Sequence, residues 1–141
     1  MAYADFTFYT TEYFGTAIPE ADFPRLAARA SVFLDYYTQG RAADNADLSA
    51  LKMACCAVAE RQQVIEKAQA VAMAGIEASM SSGGREVQSE SVGSWSRTFS
   101  SSDGGGWSAS WAASESVRAS LAQAATVHLA QTGLLYRGGC R

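Results

Sequence analysis

The sequence has few of the residues that build metal sites and disulfide scaffolds. Its 141 residues include one histidine and three cysteines. Cys55 and Cys56 are adjacent, so they cannot both point the same way from a helix, and Cys140 directly precedes the last residue. An odd number of cysteines without paired spacing argues against a secreted disulfide scaffold and favours a reducing compartment. We therefore expect no metal ion and no cofactor.

Long apolar runs and an excess of positive charge are also missing. No stretch of about 18 apolar residues is present, so we expect no membrane-spanning segment. Met1 is followed by neither a basic start nor an apolar run, so we expect no signal peptide and a chain that is cytosolic when made. The 11 Lys and Arg against 14 Asp and Glu give a net charge of -3, which does not support a basic nucleic-acid-reading surface.

Alanine is the residue that the sequence has in excess. It contains 27 alanines, whereas leucine, isoleucine, valine and phenylalanine together number 25. The length suggests one domain with one modest core, and a core made largely of alanine is thin, with its helices packed closely. We expect neighbouring subunits to supply much of the missing stability.

Aromatic and apolar spacing predicts a short N-terminal helix before the first main helix. Spacings of three and four within Phe6 to Phe14 predict a helix whose aromatic face covers the core, with Gly15 ending it at positive φ. The first main helix begins after Asp22, as N-cap, has Pro24 in its first turn and is closed by Gly40. The predicted core of the whole chain is Phe23, Leu26, Ala30, Phe33, Leu34, Tyr37, Leu51, Val58 and Leu121.

Two longer helices follow. Apolar residues in steps of three and four predict a second main helix over about Asp47 to Met80, apolar on more than one side. Such a helix must be covered on more than one side, once by the first helix and once, we expect, by a neighbouring copy. Glu60 is predicted to lie on its solvated face. The third main helix runs from about Ala109 to Gln131, with His128 on its apolar stripe, and Thr132-Gly133 stops it.

The composition changes abruptly after residue 80. Of the 17 serines, 15 fall between residues 79 and 120, which is one argument for a flexible linker. Large and small residues nevertheless alternate with the period of a strand, at Trp95, Arg97 and Phe99. We therefore predict a two-stranded hairpin over about 85–100, with Val92-Gly93 as its turn. The predicted partner strand contains Val87, Ser89 and Ser91.

Together these elements predict one all-α domain, a small bundle with a projecting hairpin and an extended tail. The N-terminal helices occupy residues 1–80, the serine- and glycine-rich hairpin and loop 81–107, the last helix 108–133 and the tail 134–141. An apolar triplet followed by a basic end is typical of a short docking peptide, and this one has no obvious place to bury in its own subunit. The predicted docking residues are Leu134, Leu135, Tyr136, Arg137, Gly138 and Arg141.

The sequence does not indicate catalytic chemistry. A nucleophilic site needs a base beside an activated serine or cysteine, and His128 lies on an apolar stripe, where a core or interface role fits better. Cys55 and Cys56 lie in an alanine-rich helix, where cysteine behaves as a small hydrophobic residue. The glycine-rich runs at 82–85 and 104–107 lack the Gly-Lys-Ser/Thr ending of a phosphate loop. We expect a structural or binding protein rather than an enzyme.

Several features stand out by their order and spacing. They are an aromatic N-terminal turn before a glycine, the run Ile18 to Phe23, Arg29-Ala30-Ser31 ahead of Asp35-Tyr36 and Gly40-Arg41, a long second helix, the stretch Ser89 to Ser96, and the ending Thr132 to Gly138. In this order the chain resembles, over essentially its whole length, the head–tail connector (adaptor) proteins of long-tailed bacteriophages. The resemblance depends on the combination of these features rather than on any one of them.

The resemblance implies a small α-helical protein that forms a ring, usually of twelve copies, beneath the portal protein at the capsid vertex. Such a ring extends the DNA channel, through which double-stranded DNA passes without sequence-specific binding, and supports a stopper or head-closure protein. It implies a place in the virion neck after assembly in the host cytoplasm, with residues 134–141 reaching into the portal. The hairpin would contact neighbouring subunits or the next ring through Val87, Val92, Trp95, Arg97 and Phe99.

Two other functions stay open at this point. One is a free cytosolic helical binding or regulatory module that holds a partner through its tail and exists as a monomer or dimer. The other is a thiol-dependent enzyme, which would lose its activity when Cys55 or Cys56 is changed. The ring-forming interpretation predicts only packing defects from those changes.

Overall fold

Helices make up most of the chain. The computed structural model describes residues 2–81, 89–92, 95–98 and 106–136, and side chains within 2–78 and 114–136. The helices are α1 (Phe6–Thr11), α2 (Phe23–Tyr37), α3 (Ser49–Ser81) and α4 (Gly106–Leu129), with a 3-10 turn at Ala43–Asn45. Two short strands, β1 (Ser89–Val92) and β2 (Trp95–Thr98), lie between α3 and α4 in the sequence. The predicted all-α class is confirmed.

The chain divides into two compact units. The first consists of residues 1–65 and 116–141, and the second of residues 66–115. All the side chains that the structure describes as buried belong to the first unit.

The core of the first unit relies on small side chains as much as on large ones. Its largest fully buried members are Tyr9, Phe23, Leu26, Leu34, Leu51, Val58 and Leu129. Between them lie buried alanines and both helical cysteines, at Ala27, Ala30, Ala54, Cys55, Cys56, Ala59 and Ala125. Because hydrophobic stabilisation scales with the apolar area removed from water, each small side chain contributes little.

Most of the predicted core residues are buried, and two lie at its edge. Phe33 and Tyr37 are half-buried against the core, and their rings stack at a centroid distance of 5.7 Å. The Tyr37 hydroxyl is 3.0 Å from Oγ1 of Thr126, which ties α2 to α4. The other seven are buried, namely Phe23, Leu26, Ala30, Leu34, Leu51, Val58 and Leu121.

The end of α1 differs from the prediction. The positive φ belongs to Phe14 (57°), and Gly15 is not among the positive-φ residues. Gly15 is needed for a different reason, because a Cβ at this position would lie 2.0 Å from Cε2 of the buried Tyr9 ring. Phe14 is 79% exposed, so the aromatic face of the segment covers the core through its other rings.

The ends of α2 lie where the sequence placed them, but their hydrogen bonding differs in one respect. Asp22 occupies the N-cap position without a side-chain hydrogen bond to the helix. Its backbone is already helical (φ −91°, ψ −21°), whereas a capping side chain normally needs an extended N-cap. At the other end Gln39 and Gly40 both have positive φ, and the Gly40 N–H donates to the Asp35 carbonyl at 2.8 Å.

The buried stripe of α4 is shifted from the predicted one. Leu121, Ala125 and Leu129 are spaced by four residues and are buried, whereas His128 is only half-buried. Val127, the residue before His128, is 74% exposed. Two residues correspond to about 200° around a helix, so Val127 and Leu129 point to nearly opposite sides.

The second unit contains the strand pair. β1 and β2 are antiparallel, and the register places Ser89 opposite Thr98 and Val92 opposite Trp95. Val92 is therefore part of a strand, and its predicted place in the turn is wrong. Residues Val87 and Phe99 lie outside the described residues. The projection of this pair from the helical body stays a prediction.

Candidate interaction surfaces

Two tyrosines from the N-terminal segment share one carboxylate on α3. The Tyr9 hydroxyl donates to Oε1 of Glu60 at 2.8 Å, and the Tyr13 hydroxyl approaches Oε2 at 3.3 Å. The Tyr9 oxygen also accepts the backbone N–H groups of Ala17 (3.0 Å) and Ile18 (3.2 Å). Glu60 is half-buried, so its predicted place on the solvated face is wrong. We call Tyr9, Tyr13 and Glu60 the tyrosine clamp.

The sequence spacing marks the two surfaces that meet in the tyrosine clamp, although it does not pair them. Tyr9 and Tyr13 are four residues apart, the spacing that puts two side chains on one side of a helix, although α1 ends at Thr11 and Tyr13 follows it. Glu60 lies four residues after the buried Cys56, so the two residues lie on the same side of α3. The tyrosine rings stack at a centroid distance of 5.7 Å, and Tyr9 also packs against Phe23 at 4.9 Å.

Burial favours the neutral forms of the tyrosine and cysteine side chains around the clamp. Burial, followed by the nearby Glu60 carboxylate, raises the pKa of Tyr13 from 10.0 to about 12. Burial also raises the pKa of Tyr9, with Glu60 adding to it. The pKa of the Cys56 thiol rises from 9.0 to about 12, again mainly through burial. A buried group loses hydration in its charged form, which explains the common direction.

A second set of polar contacts fixes the extreme N-terminal residues to α2. The Tyr3 backbone N–H donates to Oγ of Ser31 at 3.0 Å, and the Tyr3 hydroxyl donates to Oδ1 of Asp35. Burial, and then the Asp35 carboxylate, raises the pKa of Tyr3. The Ser31 hydroxyl in turn lies 3.6 Å from the Cys55 sulfur. Hydrogen bonds therefore attach residues 3–13 to both α2 and α3.

Both described cysteines are buried as neutral thiols, and the described histidine packs against an aromatic ring. Cys55 and Cys56 are fully buried, and burial raises the pKa of the Cys55 thiol, so both thiols stay protonated at neutral pH. His128 contacts the Tyr13 ring edge-on, at 6.4 Å between centroids. Cys140 lies outside the described residues. Within the part of the chain that the structure describes, no cluster of His, Cys, Asp or Glu has metal-binding geometry.

The start of the tail is buried, contrary to the prediction that it has no place in its own subunit. Leu134 is buried in the core and Leu135 packs partly against it. A turn with Gly133 at φ 77° follows α4, and this turn brings both side chains back onto the bundle. An Arg41 guanidinium N–H donates to the Tyr136 carbonyl. Arg137, Gly138 and Arg141 lie outside the described residues.

Large apolar side chains are exposed in several segments, both on helices and between them. In the first unit they are Phe14, Val32, Tyr36, Leu48, Val64, Val127 and Tyr136. In the second unit they are Val71, Met73 and Ile76, all on α3. Among the described residues, no helix combines the length and hydropathy required to cross a bilayer.

Comparisons with protein-family models, with curated proteins and with solved structures found no match for this chain.

Proposed function

We propose that this chain is a structural protein of the bacteriophage neck. In this proposal copies of the chain form a ring on the portal protein, extend the DNA channel and support a stopper or head-closure protein. The proposal rests on the resemblance in the order of sequence features, and it makes the protein a non-enzymatic virion component. The serine-rich strand pair would contact neighbouring copies or the next ring.

The exposed apolar side chains of the first unit are the observation that supports this function most directly. Phe14, Val32, Tyr36 and Val127 are each at least 70% exposed, and they belong to different segments of a unit whose core is rich in alanine. Single exposed apolar residues are common on monomers. A subunit of a closed ring, however, needs two different faces that bind each other, and exposed apolar groups in several segments meet that need.

The charge balance is compatible with a DNA conduit. Each contact between a cation and a phosphate adds affinity that falls with salt, so a channel wall that binds DNA tightly would slow its passage. The chain carries a net charge of -3. We expect a channel wall built from such a chain to favour transit over binding.

The tail provides the test of portal docking. Because Leu134 and Leu135 pack on the core, the informative truncation removes only residues 137–141. We expect the truncated chain to keep its helical circular dichroism and to lose co-sedimentation with the portal protein encoded in the same genome. A Cys140→Ser variant keeps the tail and should bind like the natural chain.

Two results of that experiment would count against the proposal. Unchanged portal binding by the truncated chain would show that the tail is not the docking segment. A natural chain that stays monomeric or dimeric and binds no portal would favour the free regulatory module instead.

A further inference from the structure

The part of α3 that belongs to the second unit is apolar and largely exposed. The nine residues between Lys67 and Glu77 carry no charge, and Gln69 is their one polar side chain. Val71 and Met73 are 53% and 57% exposed. Single exposed apolar residues are common on protein surfaces, but these belong to a continuous uncharged stretch with opposite charges at its two ends. We call residues 67–77 the open segment of α3.

One side of the open segment carries both charges. Each residue turns an α-helix by about 100°. Four exposed residues therefore fall within a sector of about 80°, namely Lys67, Ala70, Ala74 and Glu77. Ala72 lies about 180° from the centre of this sector and is half-buried. The sector is thus the outer side of the helix.

The two charges make this outer side complementary to itself in one orientation. In an antiparallel pair whose midpoint is residue 72, Lys67 of each copy lies opposite Glu77 of the other. A parallel pair in register would place lysine against lysine and glutamate against glutamate, which is unfavourable. Glu66, the neighbouring acid, is half-buried and interacts within its own chain. The charges therefore favour a second copy in the antiparallel orientation.

The uncharged residues fit the same arrangement. Ala70 of each copy lies opposite Ala74 of the other, and their small side chains allow the two helices to approach closely. Val71 and Met73 lie on the two edges of the sector, each about 80° from its centre. Because both are close to the midpoint, each lies beside the same residue of the other copy. The contact removes these exposed apolar side chains from water, which stabilises it.

We propose that two free copies of the chain bind each other through their open segments in this antiparallel orientation. The contact is isologous, because each copy contributes the same surface. It differs from the heterologous contacts of a ring, in which all copies point the same way along the ring axis. The inference goes beyond the proposed function and does not depend on it, because such a pair belongs to the free chain and separates before a ring forms.

The pair is expected to be weak. Three turns of helix bury less area than the roughly 1,200–2,000 Å² of stable interfaces. Exposed ion pairs contribute little free energy, so Lys67 and Glu77 mainly select the orientation of the two copies. The free chain therefore forms a monomer–dimer equilibrium that depends on its concentration.

Sedimentation equilibrium of the full chain without a portal tests the pairing. A reducing agent keeps Cys140 from linking copies, and we expect a reversible mixture of monomer and dimer. Lys67→Glu places like charges at both ends of the contact and should raise the Kd several-fold. Adding Glu77→Lys restores opposite charges at both ends, so the double variant should recover the Kd of the natural chain. Loss of folding would not be reversed in this way.

A second substitution tests the apolar part of the contact. Val71→Asp brings two carboxylates together near the midpoint and should raise the Kd more than Lys67→Glu does. The matched control is Val127→Asp, which changes an exposed valine of α4 in the first unit and should leave the Kd unchanged.

Three results would overturn the inference. They are a chain that is monomeric at every concentration, a Kd that Lys67→Glu does not change, and a double variant that binds no better than Lys67→Glu alone. The portal takes no part in these measurements. A chain that pairs as expected but does not bind the portal would refute only the proposed function.

Discussion

At the scale of single residues, Phe14 and Gly15 have unexpected roles. A left-handed backbone is disfavoured for a bulky side chain, yet Phe14 adopts it and its glycine neighbour does not. Gly15 instead leaves room for the Tyr9 ring. The sequence predicted that the helix ends at Gly15, because glycine often ends helices. It did not predict that Phe14, rather than Gly15, has the positive φ.

Gly15→Ala should destabilise the fold through a steric clash. The new Cβ would lie 2.0 Å from a buried aromatic ring that has little room to move, and overpacking of this kind costs about 1–3 kcal/mol. Urea denaturation measures the change in the free energy of unfolding. The control is Gly40→Ala, where no atom lies within 4 Å but φ is 84°, so only a backbone penalty of about 1 kcal/mol applies. Equal losses in the two variants would contradict the clash.

At the scale of elements, the buried side of α2 was predictable from the sequence, whereas the polar contacts of the tyrosine clamp were not. Periodicity of 3.6 residues identifies Phe23, Leu26, Ala30 and Leu34 as one buried side, and all four are buried. The tyrosine clamp joins residues about fifty positions apart, so no local pattern fixes it. The same holds for Leu134, because the turn at Gly133 decides whether an apolar residue after a helix folds back.

The clamp and the buried thiols predict how stability depends on pH. In the folded state the pKa values of Tyr13 and Cys56 are about 12, against ordinary values of 10.0 and 9.0. The folded state therefore keeps these protons after the unfolded state has lost them, and its stability is greatest below the ordinary values. We expect the free energy of unfolding to stay level up to about pH 9 and to fall progressively towards pH 12.

Removing the thiols provides a control for this pH dependence. In a variant with Cys55→Ala and Cys56→Ala, only tyrosines contribute, so the fall should begin near their ordinary pKa of 10.0. Urea titrations at a series of pH values measure both curves. Stability that stays level up to about pH 11 in the natural chain would contradict the assignment.

At the scale of the whole molecule, the composition anticipated the character of the core. The excess of alanine over large aliphatic residues predicts a thin core, and alanines and cysteines indeed fill much of the buried interior. The composition does not reveal which outward faces carry charge and which carry apolar groups. Identifying those faces requires knowing which sides of α2 and α4 face inward. Steps of three and four residues describe the inner and the outer side of a helix equally well.

The assembly of copies on a portal is the central claim, and native mass spectrometry of the portal protein mixed with the natural chain tests it most directly. We expect a complex heavier than the portal by one copy of this chain for each portal subunit, together with little partially occupied portal, because each bound copy offers a surface to the next. A portal that keeps its own mass in the presence of excess chain would contradict the claim.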